Sequence, residues 1–296
     1  MDRMKIEKSC NHCETLCITC DRRKNKNTNG DTVDTSDEAY LHPNIFELNY
    51  IKTIMNLEEI LNHRRAVRKY STTELIDTEK VRRCLELALL APTSSNMQLF
   101  EMYHITDGEL LKRLAVASLD QQSATTAQEM VVFVVRRDLY RQRANTALAF
   151  EKGNVGRNSP TEKQAKRIRQ WDSYYKKLIP FLYARCFGLL GLFRKLLVSV
   201  AGLFRPIIRQ VSEGDIRVVA HKSCALVAQT FMLAMSEEGY DTCPLEGFDS
   251  LRVKRILRLP CSAEINMIVS CGIRTAGGVW GERFRQPFET VYKRNI

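Results

Sequence analysis

Two groups of arginines, near opposite ends of the chain, are the residues best suited to bind an anion. The first is Arg64-Arg65-Ala66-Val67-Arg68-Lys69-Tyr70, directly after a helical segment, and the second is Arg283-x-Arg285. Guanidinium groups match phosphate oxygens in bidentate fashion, so the two groups together could hold one phosphate. The alternative is a solvated helix end whose cations complement the helix dipole. The anion site requires a fold that brings the two ends of the domain together.

Two further stretches could contact a polar ligand. The run Thr93-Ser94-Ser95-Asn96-Met97-Gln98 follows Ala91-Pro92 at the end of a predicted helix. Its hydroxyl and amide groups could hydrogen-bond a ligand, or they could form an ordinary capping turn. The second stretch is Pro244-Leu245-Glu246-Gly247-Phe248, within a predicted loop at 241–248.

The elements that must position these residues follow from hydrophobic periodicity and from turn signals. Helices are predicted at 51–63, 78–90, 108–119, 139–150, 216–238 and 250–257. Strands are predicted at 100–105, 130–135, 264–272 and 288–292. Helices and strands mixed in this order indicate an α+β domain with a few-stranded sheet.

Composition restricts the class of protein. The chain has 296 residues, is 44% hydrophobic and carries a net charge of +11. Residues 151–213 hold 13 Lys or Arg and 4 Asp or Glu, so 13 − 4 = +9 of that charge lies in one segment. This argues against a nucleic-acid-coating protein, which would be basic over a whole face. The charged, non-apolar start of the chain favours a cytoplasmic location, and six of the ten cysteines lie in apolar stretches typical of buried thiols.

The first 48 residues are predicted to be an extension, with a cysteine-rich part followed by a polar, disordered part. The cysteines are spaced Cys10-x2-Cys13-x3-Cys17-x2-Cys20. Thiolates at this spacing could hold zinc or an iron–sulfur cluster, although the spacing departs from the common zinc and ferredoxin patterns. A reduced tail without metal is the alternative, and no residue is assigned as a metal ligand.

With these motifs in place, the chain resembles the FMN-dependent nitroreductase family over roughly residues 50–150 and 214–294. The resemblance rests on the order of four motifs: 64–70, 91–98, 244–248 and 283–287. It implies a homodimeric three-layer α+β sandwich with a mixed sheet, FMN bound at the subunit interface, and NADH or NADPH as co-substrate. The implied FMN-binding domain is 49–150 plus 214–296.

The resemblance also implies roles for particular residues. The first arginine group would hold the phosphate, ribityl chain and ring edge, the second would close on the phosphate, and the 92–96 loop would come from the partner subunit. The backbone at 246–247 would lie near the flavin N5. The implied cofactor-binding residues are Arg64, Arg65, Ala66, Arg68, Pro92, Thr93, Ser94, Asn96, Glu246, Gly247, Arg283 and Arg285.

This chain departs from the family pattern in three places. Ala66 stands where many members carry serine, and Leu99-Phe100 replaces a common Pro-Trp pair. Residues 151–213 form a basic and apolar insertion where members have a variable lid. Its part 178–208 has the pattern of an amphipathic helix, with Arg194, Lys195 and two further arginines on one face. It could lie on an anionic membrane surface or pack on the dimer as a lid, because periodicity does not distinguish lipid from protein.

The motifs together predict an oxidoreductase that uses FMN and NAD(P)H in ping-pong hydride transfer. The acceptor would be an electrophilic small molecule such as a nitroaromatic or a quinone, and the flavin would carry the chemistry without a catalytic side chain. Two alternatives stay open. One is a non-catalytic, membrane-docked flavoprotein that senses redox state. The other is a reductive dehalogenase or a flavin-consuming enzyme on the same fold.

Overall fold

Four strands form one open sheet within residues 55–295, the part of the chain that the computed structural model describes. The strand order is β1-β2-β4-β3, and each neighbouring pair is antiparallel. The strands are β1 (Phe100–Ile105), β2 (Glu129–Val135), β3 (Asp241–Leu245) and β4 (Glu264–Gly272). One isolated bridge, between Ala66 and Thr242, is parallel.

Helices cover both faces of the sheet. They are α1 (Leu57–His63), α2 (Thr78–Ala88), α3 (Gly108–Ala117), α4 (Gln122–Thr125), α5 (Tyr140–Asn158), α6 (Thr161–Ser173), α7 (Ile179–Tyr183), α8 (Leu189–Ala201), α9 (Glu213–Glu237), α10 (Ser250–Ile256) and α11 (Phe288–Val291). A π-helical turn, Tyr174–Leu178, joins α6 to α7.

The continuous apolar run of β2 is explained by burial on both faces. Val131, Phe133 and Val135 pack against α2 and α9 on one side. The alternate residues, among them Val132 and Val134, pack against α3 and α10 on the other side. Successive side chains of a strand point to opposite faces, so both sets must be apolar when helices cover both faces. The three-layer α+β prediction is confirmed, but the four strands pair antiparallel in the described part of the chain and do not form the mixed sheet that was expected.

The long helix α9 forms the centre of one helical layer. It begins with a capping box in which the Ser212 side chain accepts from the Asp215 backbone amide. It ends before Gly239, which adopts a left-handed φ of 78°. Among the described helices, α9 has the length and composition to cross a bilayer, but half of its most apolar stretch is buried in the domain.

The structure corrects three element predictions. The first helix begins at Leu57, because the Asn56 side chain caps it by accepting from the Glu59 amide. Residues 241–245 form a strand instead of a loop, and Pro244 is tolerated because β3 is an edge strand paired on one side. The predicted strand 288–292 is helical over α11, where Phe288 and Tyr292 stack one turn apart.

Two cysteines also differ from expectation. Cys186 and Cys261 are exposed, whereas the other four cysteines of the described region are buried as predicted. The cysteine-rich stretch lies outside the described residues.

The beginning of the 151–213 segment is continuous with the domain. Helix α5 crosses residue 151 and ends at Asn158, shortly before Pro160. Further on, Tyr175, Ile179 and Tyr183 are buried in one cluster with Met97 and Leu99, which follow the 92–96 loop. This part of the segment therefore supports the loop.

Candidate functional site

The loop after α1 presents cations on one side and anchors itself with apolar groups on the other. Val67 and Tyr70 are fully buried, and the Tyr70 hydroxyl donates to the carbonyl of Ser270 at 2.9 Å. Gly272 lies directly against the Tyr70 ring, where a Cβ atom would come within 2.7 Å of ring carbons. The Arg68 backbone amide donates to the Gly278 carbonyl at 2.7 Å. These contacts anchor the loop at Val67 and Tyr70, and the side chains of Arg68 and Lys69 between them are exposed.

A buried polar network holds the C-terminal end of α1 against the sheet. The Asp241 carboxylate accepts from the Arg274 backbone amide at 2.7 Å and from its guanidinium Nε at 2.8 Å. The same guanidinium donates to the backbone carbonyl of His63 at 2.8 Å. Burial, together with the Arg274 charge, lowers the pKa of His63. The loop that carries the first arginine group is thereby tied to β3 and to the segment after β4.

The C-terminal segment returns to the same place. Arg283 donates to the backbone carbonyls of Leu61, Asn62 and Arg64 at 3.0, 2.9 and 2.7 Å. These carbonyls belong to the end of α1, where backbone acceptors lack intrahelical partners. Arg65 donates to the carbonyl of Gly281 at 2.9 Å, so each arginine group binds the backbone of the other segment.

The two arginine groups therefore converge on one open cavity of about 610 Å³. Burial lowers the pKa of Arg64, and the nearby charges of Arg283, Arg285 and Arg65 lower it further. The residues that line the cavity are Arg64, Arg65, Ala66, Arg68, Gln122, Gly277, Val279, Trp280, Glu282, Arg283, Phe284 and Arg285. The prediction that the fold brings the two groups together is confirmed.

The five arginines of the two groups form no ion pair within residues 55–295. None of the five arginines has a carboxylate within 4.0 Å in that part of the chain, although Glu282 also lines the cavity. The side chains of Arg64 and Arg68 make no hydrogen bond to the described residues. Clustered cations repel, and a bound anion is the simplest way to relieve the repulsion. The donors of Arg64 and Arg68 remain free for such an anion.

The five arginines thus fall into two kinds. Arg283 and Arg65 direct donors to backbone carbonyls and hold the cavity wall in place. Arg64, Arg68 and the exposed Arg285 also line the cavity. Among the described residues, the Arg285 guanidinium donates only to the carbonyl of its neighbour Phe284. Sequence pattern alone did not separate these kinds, because all five share one residue type.

The polar loop 92–98 does not line the arginine cavity of its own chain. The Ser94 amide donates to the Ser223 hydroxyl of α9, and Thr93 Oγ1 accepts from the Gln98 amide. The Asn96 side-chain oxygen accepts from the Gln98 amide group, and Pro92 is exposed. None of these residues lines the arginine cavity of its own chain.

The backbone of this loop is strained in a specific way. Ser95, Asn96 and Gln98 have φ values of 54°, 49° and 46°. Non-glycine residues adopt this left-handed conformation at a cost, which surrounding contacts must offset. Two tyrosines of the π-helical turn supply such contacts: Tyr174 Oη lies 2.7 Å from Ser95 Oγ, and the Tyr175 hydroxyl donates to the Ser95 carbonyl at 3.1 Å.

The pair Glu246-Gly247 follows β3 and is exposed. The Gly247 carbonyl accepts from the side chain of Gln121 at 2.8 Å. The neighbouring residue Gln122 lines the arginine cavity. Neither Glu246 nor Gly247 lines the cavity itself, and the pair is connected to it only through Gln121 and Gln122 at the start of α4. The sequence interpretation did not single out Gln121 or Gln122, and no motif there pointed to them.

Ala66 lies on the cavity wall and forms the parallel bridge to Thr242. With a methyl side chain it offers no hydrogen bond to a ligand, as the sequence comparison with the family pattern predicted. Trp280, exposed to 93%, is a lining residue that the sequence interpretation passed over. Its type and its place between the two arginine groups could have marked it.

The fold is a three-layer α+β sandwich in which one cavity is lined by both arginine groups. The sequence model of the nitroreductase family matches residues 61–273. The chain belongs to the nitroreductase family.

Individual relatives agree with this assignment. MhqN of Bacillus subtilis strain 168, named as an NAD(P)H nitroreductase, is 23% identical over 213 residues, covering 72% of this chain and 86% of its own. Protein DrgA of Synechocystis is 24% identical over 233 residues, covering 79% of this chain and 91% of its own.

Solved structures show the same fold. The nitroreductase ydfN of Bacillus subtilis superposes with a TM-score of 0.60 at 21% identity, over 80% of this chain and 97% of its own. A nitroreductase from Exiguobacterium sibiricum, solved in complex with FMN, gives 0.57 at 20% identity, over 81% of this chain and 98% of its own. The family and fold support an oxidoreductase.

Proposed function

We propose that this protein is an FMN-dependent oxidoreductase that accepts hydride from NADH or NADPH. A small electrophilic molecule, such as a nitroaromatic or a quinone, would then receive electrons at the same site. The observation that carries the proposal is the convergence of five arginines on one cavity, none of them within 4.0 Å of a carboxylate of residues 55–295. An FMN phosphate is a dianion of the right charge and geometry for such a site.

The residues present fit this cofactor. Arg64, Arg68 and Arg285 would bind the phosphate and the ribityl side, since their donors face the cavity. Arg283 would act indirectly, by fixing the end of α1 through three backbone carbonyls. Bound FMN would supply reversible two-electron chemistry, and the protein would supply position and electrostatics.

We infer that the complete site needs two subunits. The loop Pro92–Asn96 exposes polar groups but does not line the cavity of its own chain. Leu57 and Leu61 of α1, beside the cavity wall, expose 64% and 42% of their surface. A homodimer would cover such apolar residues and could bring the loop of one subunit to the cavity of the other.

The test begins with the purified protein. It should be yellow, and heat should release FMN rather than FAD. With NADH or NADPH and a panel of acceptors, initial rates should give parallel double-reciprocal lines, as ping-pong kinetics require. A colourless protein that does not take up added FMN would refute the cofactor assignment. If the protein is yellow but oxidises neither NADH nor NADPH with any acceptor, it binds FMN but lacks the proposed activity.

A further inference from the structure

Helix α8 carries an exposed apolar surface on the outer part of the 151–213 segment. Leu192 is 69% exposed, Leu196 is 63% exposed and Phe204, just after the helix, is 84% exposed. The α8 apolar surface comprises Phe187, Leu189, Leu192, Phe193, Leu196, Leu197, Val200, Leu203, Phe204 and Ile208. Contiguous apolar patches of this kind on folded proteins usually mark an interaction site.

Specific polar contacts hold α8 with this surface outward. Arg194, predicted from the sequence to lie on an exposed polar face, is instead 1% exposed and points inward. Its guanidinium donates to the carbonyls of Val211, Phe181 and Ala184 at 2.8, 2.6 and 3.0 Å. Rolling the helix to bury its leucines would break these three hydrogen bonds.

The start of α8 is fixed as well. The Glu213 carboxylate accepts from the backbone amides of Cys186 and Gly188 at 3.0 and 3.1 Å. Hydrogen bonds from these amides lower the pKa of Glu213, although burial opposes the shift. Gly191 lies so close to α9 that a Cβ atom would come within 2.8 Å of the Glu213 backbone nitrogen. The outward direction of the apolar residues is therefore built into the fold.

The charges around the α8 apolar surface indicate which partner it can bind. Between Ser173 and Ser212 the sequence has seven Lys or Arg and no Asp or Glu. Of these cations, Arg185, Lys195, Arg205 and Arg209 are exposed around the α8 apolar surface. If two copies of this chain docked through this surface symmetrically, these cations would repel each other, because the segment 173–212 has no carboxylate to pair with them. An anionic lipid surface offers both the apolar medium and the opposite charge.

We propose that the α8 apolar surface docks this protein in the interface of an anionic lipid bilayer. The helix has 13 residues, too few to cross a bilayer, so it would lie in the plane of the interface. Its leucines and phenylalanines would enter the boundary of the acyl chains. The surrounding cations would contact the headgroups. This proposal does not depend on the bound cofactor.

The experiment is co-sedimentation of the full chain with vesicles of phosphatidylcholine containing one quarter phosphatidylglycerol, and with vesicles of phosphatidylcholine alone. Binding should be stronger to the anionic vesicles and should weaken at high salt, because exposed charges are screened. The double variant Leu192→Asp, Leu196→Asp should bind at least about tenfold more weakly, since two charges would enter the acyl boundary. The double variant Arg185→Glu, Arg205→Glu should lose a similar amount.

The matched control is Leu75→Asp, because Leu75 is equally exposed at 68% but lies far from α8 in the sequence. It should bind vesicles as the unmodified protein does. Circular dichroism and melting curves should show all variants folded, since each altered side chain is exposed. The proposal is overturned if the unmodified protein does not sediment with anionic vesicles at low salt. It is equally overturned if the α8 variants sediment unchanged, or if Leu192→Asp, Leu196→Asp alters the oligomeric state, which would show that a second copy covers this surface.

Discussion

The guanidinium Nη2 of Arg283 lies 2.7 Å from the backbone carbonyl oxygen of Arg64, 219 positions earlier in the chain. Through this bond a residue of the C-terminal segment fixes the residue that begins the first arginine group. The two ends of the domain thus build one wall, and the guanidinium of Arg64 itself stays free of hydrogen bonds within residues 55–295. Arg283 therefore has a structural role, whereas Arg64 can bind a ligand.

Replacing Arg64 by Ala should weaken FMN binding. A charge-assisted hydrogen bond contributes about 1.5–3 kcal/mol, which corresponds to a roughly 10-fold to 150-fold higher Kd. Titration of the apoprotein with FMN, followed by fluorescence quenching, measures this. Arg64→Lys should restore part of the affinity, because an ammonium lacks the planar fork. Arg113→Ala removes one exposed cation elsewhere and serves as the control; equal Kd values for the two Ala variants would disprove the phosphate clamp.

Arg283→Ala and Arg285→Ala should differ in kind. Arg283→Ala removes three hydrogen bonds to the end of α1 and should lower the stability of the apoprotein by about 1–2 kcal/mol. For a domain of this size the melting temperature would fall by roughly 2–8 °C. Arg285→Ala should leave the melting temperature of the apoprotein unchanged and raise the Kd for FMN. Differential scanning calorimetry of both apoproteins measures the two melting temperatures. If Arg285→Ala melts lower than Arg283→Ala, the structural role belongs to Arg285 and the proposed assignment is wrong.

Mixing of two inactive variants tests the shared site. Arg64→Ala, Arg65→Ala lacks the arginine half, and Asn96→Ala lacks a group of the loop half. After subunit exchange about half of the dimers are mixed, each with one intact site of two, so roughly a quarter of the full activity should return. As control, the first variant mixed with Arg68→Ala should recover nothing, because both changes affect the same half. Full activity from a species shown by light scattering to be a monomer would contradict the shared site.

The ionised carboxylate of Glu264 should stabilise the fold at neutral pH and lose this effect in acid. Burial opposes its ionisation, but hydrogen bonds from His221, Arg137 and Arg217 outweigh that effect and hold the pKa of its carboxyl well below the usual range. A carboxyl with a lowered pKa in the folded state stabilises the fold above its unfolded pKa of about 4.3 and loses this contribution as pH falls toward the folded value. The free energy of unfolding of the unmodified protein should therefore exceed that of Glu264→Gln at neutral pH.

Below about pH 4 the difference should shrink, since the unfolded Glu264 then binds a proton. Urea unfolding of both proteins across the pH range measures it. Glu237→Gln, which changes a half-buried glutamate at the end of α9, is the comparison. A difference that grows on acidification would show that the ion-pair interpretation is wrong.

The sequence by itself determined the layers and the family motifs. The apolar run of β2 required two covered faces, and the chain order of helices and strands required an α+β sandwich. The types and order of Arg64, Arg68 and Arg285 indicated one anion site from two distant segments. These features depend on local patterns and on residue chemistry, which are written directly in the chain.

Only the tertiary structure decided what individual side chains do. Arg194 looked like part of a solvated face, yet it points inward, where its guanidinium donates to the carbonyls of Phe181, Ala184 and Val211. Arg283 was predicted to contact the ligand, and the structure shows in addition that it donates to three backbone carbonyls at the end of α1. Pro244 indicated a loop, yet an edge strand can hold it. In each case a contact between residues distant in sequence outweighs the local preference, and helical or strand periodicity carries no information about such contacts.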